Sequence, residues 1–372
     1  MQSLRYQRLK QPGISIVYVT VWHTYTLPPI YEMNEQYNIE EIRQLEKNLS
    51  EKPDDTDLMN KLAIGYLNCR EADSFNKVDD LLKKAFEIKP SIKTSNNYAY
   101  QIITDRDDYE KGIEILKPFV DKKPKSFMPY NVIGYAYLMK GNYEKAKFYF
   151  EKAMTLSQTE MVEIIHNLAV CENHLGNPQK ALNLYDKSIA INDKDNESKF
   201  NKAVCLYELG SHSEIEEIIQ TIRKSAAYKD STAWVSSSEL SELYYLQGDL
   251  QNAYDFFLQN PFTPDLISDL VSSFLLFNYD KPKFQKLVNE QVGEKNEWIN
   301  ELNDPKDEDY YDYSDEERIE QTKKLENEIH TLKSIELHLT KPPQLNPAKL
   351  YMTTFCGCML YDCKIHRTQF DE

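Results

Sequence analysis

The sequence predicts an all-α chain built from stacked helix pairs, and three observations lead there. One stretch reads Tyr130-x2-Ile133-Gly134-x2-Tyr137-x3-Gly141-x-Tyr143-x2-Ala146-x3-Phe150-x2-Ala153, the spacing of two antiparallel helices that meet through small residues. The same spacing returns in phase on both sides, so each pair has neighbours against which to bury its faces. The composition is that of an ordinary globular chain. Of 372 residues 41% are apolar, and 10 Gly against 26 Tyr argue against a loop-rich or low-complexity chain.

Taken from the N-terminus, residues 1–32 stand apart. Arg5, Arg8 and Lys10 precede an uncharged β-branched run from Ile14 to Trp22, which imitates the basic and apolar regions of a signal peptide. No Ala-x-Ala site follows, and the run falls well short of the roughly 20 residues needed to span a bilayer. Met33 opens a more natural start, so residues 1–32 are expected to be an extension upstream of the native start or a disordered tail. The first amphipathic stripe, Ile42, Leu45 and Leu49 with Pro53 after it, looks like the second helix of a unit whose first helix is missing.

The units then follow in order. Leu62-Ala63, Tyr66, Leu82, Ala85 and Pro90 fit with a few residues inserted. Tyr98-Ala99-Tyr100, Tyr109, Gly112, Leu116 and Pro124 fit with one residue deleted. After the central unit come Leu168-Ala169, Gly176, Ala181 and Tyr185, then Ala203, Leu206, Gly210, Ile215 and Ile219, then Tyr244, Gly248, Ala253 and Phe257. Gly134, Ala169 and Ala203 allow close approach of the first helix, while Phe150, Tyr185 and Phe257 fill the remaining volume. Gly141-Asn142, Gly176-Asn177 and Gly248-Asp249 supply tight turns, and Pro90 and Pro124 stop second helices.

These spacings resemble the 34-residue tetratricopeptide repeat over about residues 38–260, in roughly six units. The resemblance implies a right-handed α-α superhelical solenoid with its first helices lining a concave face. It also implies a binding module and not an enzyme: a protein-interaction scaffold or adaptor that takes a peptide or protein along that face. In some members asparagines of the first helices form a ladder that bonds an extended peptide's backbone; Asn97, Asn131, Asn167 and Asn201 stand at or next to that position here. Tyr135, His166, Phe200 and Tyr207 lie nearby as candidate anchors. The chain departs from the subgroup that clamps C-terminal carboxylates, since Tyr130-Asn131-Val132, Ile165-His166-Asn167 and Phe200-Asn201-Lys202 lack its paired basic residues.

Beyond Pro264 the phase is lost while helical periodicity continues through Leu266, Leu270, Val271 and Phe274, then Phe284, Leu287, Val288, Trp298 and Ile299. Residues 303–317 form an acidic interruption, expected to be a solvated loop. Ser314 with Glu317 makes a capping box for a helix striped by Ile319, Leu325, Ile329, Leu332 and Ile335, which Pro342-Pro343 ends. The expected organisation is an extension over 1–32, repeats over 33–262, a capping helical region over 263–342 and a cysteine-rich tail over 343–372.

The tail holds Cys356-x-Cys358-x4-Cys363-x2-His366, the donor set of a closed structural zinc site at tighter spacing than an ordinary finger. The other reading is ordinary reduced cysteines in a terminal strand or loop; otherwise no cofactor is expected. Cys171 and Cys205 fall in first helices, where a free thiol behaves as a small apolar group, and reduced thiols suit a cytoplasmic location. Forty-four Lys and Arg against 60 Asp and Glu give a net charge of −16, which disfavours nucleic acid and suits a basic partner or simply solubility. Phosphate-loop, nucleophile-elbow and zinc-protease motifs are absent from the sequence, and its seven histidines are scattered. Two narrower scaffold readings stay open, an immunity protein that neutralises a toxin and a secretion chaperone. A third is a metal-dependent module at 343–372 with the repeats as its targeting arm.

Overall fold

A computed structural model describes residues 39–69, 74–157, 160–225, 235–260, 263–305, 313–355 and 357–359, and within these every regular element is helical. They fall into two compact units. Of the described residues, one unit contains 39–247 rejoined by the described part of the segment from Asn346, and the other contains 248–345. The expected unit around Gly248 is therefore divided at its inter-helix turn. Residues 1–32, Cys363 and His366 lie outside the described residues, as does Cys356.

The repeat unit opens with α1 (Ile39–Glu51), which lays Ile42 on α2 (Thr56–Cys69). Five pairs follow: α2 with α3 (Ser74–Ile88), α4 (Ile92–Asp105) with α5 (Tyr109–Val120), and α6 (Met128–Met139) with α7 (Tyr143–Leu156). Then come α8 (Val162–His174) with α9 (Pro178–Ile191), and α10 (Asn196–Glu208) with α11 (Ile215–Lys224). The last helix of this unit, α12 (Ser237–Leu246), touches α10. Each second helix also packs on the first helix of the next pair, which gives the continuous stacking expected of a repeat array.

Close approach explains the small residues. A Cβ placed on Gly134 would stand 2.9 Å from two ring carbons of Phe150, which is fully buried against it. Ala85, Ala146, Ala153, Ala169, Ala181 and Ala203 are likewise fully buried, so the helix axes sit close and aromatic rings fill what remains. At Gly141 the chain turns with φ +68°, after which Asn142 accepts from the Lys145 amide and starts α7.

The first helices are buried almost all round. Nine of the residues of α6, including Tyr130, Asn131 and Val132, are inaccessible, and α8 buries an unbroken run from Glu163 to Glu172. A helix of a two-layer array exposes one face, so something further covers these. That cover is the segment that rejoins the unit after Asn346.

The second unit holds α13 (Leu250–Phe257), α14 (Leu270–Tyr279), α15 (Lys281–Asn303) and α16 (Asp315–Ser334). Gln291 ties α15 to the preceding loop by accepting from the Leu266 amide at 3.2 Å and donating to the Pro264 carbonyl at 2.8 Å. The expected capping box is present, with the Ser314 amide donating to Glu317 at 2.8 Å and the Glu317 amide to Ser314 Oγ at 3.3 Å. Leu325, Ile329, Leu332 and Ile335 are buried, but Ile319 is 69% exposed. One turn from the helix start, it falls off the packed face. No described helix is long and apolar enough to cross a membrane.

Candidate functional site

Asparagine is the residue that organises the groove. Asn60, Asn97, Asn131, Asn167 and Asn201 each sit on a first helix, and each is fully buried. Against this row lies a non-helical segment, 351–355, followed by Gly357–Met359, from the chain's own C-terminal part.

The contacts are reciprocal. Asn201 Nδ2 donates to the Met352 carbonyl at 2.8 Å, and the Met352 amide donates back to Asn201 Oδ1 at 2.8 Å. Asn167 does the same with Thr354, donating to its carbonyl at 2.5 Å and accepting from its amide at 3.0 Å. Further along, Asn96 Nδ2 donates to the Cys358 carbonyl at 2.9 Å. A carboxamide has one acceptor and two donor hydrogens, so one side chain can bond both main-chain groups of a residue. Successive asparagines engage residues separated by an even number, as alternate main-chain groups of an extended chain require. The segment runs from α10 toward α4, antiparallel to the order of the repeats.

His166 reinforces the grip. Its Nε2 lies 2.9 Å from the Met352 carbonyl, and its Nδ1 lies 2.7 Å from Ser198 Oγ. A carbonyl only accepts, so the form that holds the segment carries a proton on Nε2. Behind Ser198, Ser188 Oγ lies 3.1 Å away and donates to Asp195 at 2.9 Å. Burial pushes the His166 pKa below its ordinary value, against the weaker opposing pull of Asp195, the Met352 carbonyl and Glu163.

Side chains of the segment find aromatic seats. Phe355 packs its ring 5.1 Å from Tyr100 and 4.6 Å from Tyr135, centroid to centroid. Tyr351 meets the His174 ring edge-on at 5.7 Å and donates its hydroxyl to Glu208. That phenol is 8% exposed, and burial first, then the Glu208 carboxylate, raises its pKa well above the usual range. Gly357 admits no substituent, because a Cβ there would run into the rings of Phe355 and Tyr100.

Among the described contacts, Tyr135, His166, Asn167 and Asn201 meet at the segment. Asn131 is fully buried on α6, between the helices of Asn97 and Asn167. Asn97 donates to Asn60 Oδ1 at 2.8 Å, and its neighbour Asn96 reaches the segment in its place. Phe200 is placed among the buried apolar residues of α10. It is 1% exposed and belongs to the core, because one residue from Asn201 it points about 100° away around the helix. Tyr207 lies half-buried at the start of the groove, lining an open cleft with Glu208, His212, Leu246, Gln247 and Pro347. Tyr100, His174 and Glu208 were not expected at the site; each lies on a first helix, one turn or two beyond its asparagine.

Of the expected metal ligands, only Cys358 is among the described residues, and what the groove contacts there is its carbonyl. Among the described residues no group of three or more His, Cys, Asp or Glu is placed to hold an ion. The Cys171 and Cys205 thiols are buried and free, with burial raising their pKa values to about 12 and about 11.

A model of the tetratricopeptide repeat matches residues 129–160. The mitochondrial import receptor subunit TOM70 of Rattus norvegicus is 28% identical over 101 residues, 26% of this chain, and that of Homo sapiens 27% over the same length. The match spans only 16% of the length of those relatives. Among solved structures, a tetratricopeptide repeat protein from Parabacteroides merdae is 14% identical, with 67% of this chain and 90% of that one covered and a TM-score of 0.48. YrrB, a TPR protein with an unusual peptide-binding site, is 19% identical over 48% of this chain and 89% of its own, with a TM-score of 0.37.

Proposed function

We propose that the chain is a tetratricopeptide repeat protein that acts as a non-catalytic protein-interaction scaffold, its concave face holding an extended segment of a partner protein. One observation carries the reading: Asn167 and Asn201 each bond both the amide and the carbonyl of one residue of an extended chain, two residues apart. Such a grip reads main chain and tolerates many side chains, while Tyr135, Tyr100 and His174 supply aromatic seats that discriminate. The groups meeting in the groove are carboxamides, rings and a neutral imidazole bonded to a carbonyl, a set suited to holding an amide and poorly suited to transferring protons. They are also uncharged apart from Glu208, which favours an uncharged segment over the basic partner that net charge alone suggests. Likeness to import receptor subunits over 101 residues supports a protein ligand.

The test is affinity capture from the native source with the wild-type chain beside Asn167→Ala/Asn201→Ala, after circular dichroism shows equal helicity. Proteins retained by the wild type and lost with the variant support the groove. Retention of the same set by both would remove binding from the concave face.

A further inference from the structure

We infer that residues 351–355 with Gly357 and Cys358 are a built-in copy of the groove's ligand, and that a partner binds by displacing them with a segment of the same chemistry. The inference rests on the proposed groove function and adds the identity of the ligand. It is an uncharged extended segment with two aromatic side chains four residues apart and a glycine two residues after the second, running antiparallel to the repeats.

Four features of the complex support this. The main-chain bonds of Met352, Thr354 and Cys358 to Asn201, Asn167 and Asn96 end on side chains of the first helices, so their loss breaks no helix hydrogen bond. The fully buried apolar contacts lie between paired helices, as at Phe150 with Gly134, and the segment adds only the ring of Tyr351, 8% exposed, to the buried core. Tyr351 and Phe355 are an even number of residues apart, so an extended chain presents both on one side. That is the side where His174 waits for one ring and Tyr100 with Tyr135 for the other. Finally, Gly357 is fitted to the site and not merely tolerated, since the rings of Phe355 and Tyr100 occupy the space of any Cβ.

A ligand tethered to its own site competes at an effective concentration on the order of millimolar, so a free partner must overcome it. Full occupancy in cis therefore raises the threshold for binding in trans without altering the groove.

The experiment uses the full chain and a fluorescein-labelled peptide of residues 349–359. Two variants altered in the tail open the groove without touching it. Met352→Pro/Thr354→Pro removes the two amide donors, and Gly357→Val forces a side chain against the two rings. Fluorescence anisotropy should show the peptide binding each opened variant at least about tenfold more tightly than wild type. Adding Asn167→Ala/Asn201→Ala, or changing Phe355 of the peptide to Ala, should remove at least about tenfold of that affinity. Equal binding to wild type and opened variants would overturn displacement. A scrambled peptide that binds the opened variants as well as the native order would overturn the ligand chemistry and leave the groove function standing. No peptide binding by opened variants that still capture partners through Asn167 and Asn201 would do the same. Loss of helicity in both opened variants would make the segment a fixed part of the fold and overturn the inference.

Discussion

Asn201→Ala is the sharpest single perturbation, because the side chain makes two bonds to one residue and both are visible. The substitution removes a donor 2.8 Å from the Met352 carbonyl and an acceptor 2.8 Å from its amide. The carbonyl keeps His166 Nε2 at 2.9 Å, whereas the amide is left without its acceptor. An exchanged hydrogen bond is worth about 1 kcal/mol net, and a buried group left unpaired costs about 1–3 kcal/mol. The docked segment should therefore open roughly 5 to 150 times more often. Amide hydrogen exchange followed by NMR reads this directly. Protection at Met352 and Thr354 should fall by that factor, while the amides of Ile133 and Ala169, inside α6 and α8, keep theirs. Unchanged protection at Met352 would refute the reasoning. An equal loss at Ile133 would refute it too, by showing that Asn201 serves the repeats and not the segment.

Three further outcomes are expected. Lowering the pH through about 6.5 should loosen the segment, because the buried His166 holds a proton less readily than an open one; docking is fully present above that pH and declines below it. The Met352 methyl resonance should report the change and His166→Gln should abolish it. Global stability is the wrong readout, since the raised carboxyls of Asp79, Asp105 and Asp269 push the opposite way as pH falls. Gly134→Ala should destabilise the repeat unit by about 1–2 kcal/mol in urea, as overpacking against Phe150 outweighs a helix-propensity gain of about 1 kcal/mol; a higher midpoint would contradict the packing. Ser314→Ala should cost about 0.5–2 kcal/mol of the stability of α16, seen as faster exchange in its first turn, and no change there would show the capping box to be idle.

How much of this was legible in the chain depends on whether a feature is periodic. Helix pairing was legible, because Gly134, Phe150, Ala169 and Ala203 recur at intervals that local geometry imposes. So was the position of Asn167 and Asn201, which the repeat phase carries from one helix to the next. Asn97 keeps the same phase, two residues before Ala99, and yet its neighbour Asn96 bonds the Cys358 carbonyl. A step of one residue turns a helix by about 100°, enough to exchange the groove for the neighbouring asparagine, and enough to send Phe200 into the core beside Asn201. The tail carries no period at all. Tyr351, Phe355 and Gly357 acquire meaning only against side chains such as Asn96, 262 positions from Cys358, and its cysteines drew the eye to metal chemistry.

A row of inward-facing asparagines also limits what can fill the groove. Asn96, Asn167, Asn201 and His166 are fully buried with the segment in place, and buried polar groups are costly unless bonded. An apolar helix laid across them would leave carboxamides unpaired, at about 1–3 kcal/mol each, so the row selects against it. Water satisfies them when the groove is open, and an extended main chain satisfies them when it is filled. Those are the two low-energy states available to this face. The asparagines hold an extended main chain in register, and the aromatic seats and the tether add to the balance between the two states. Substituting Phe355 should accordingly shift occupancy while leaving the register of Met352 and Thr354 on Asn201 and Asn167 intact in the fraction that remains docked.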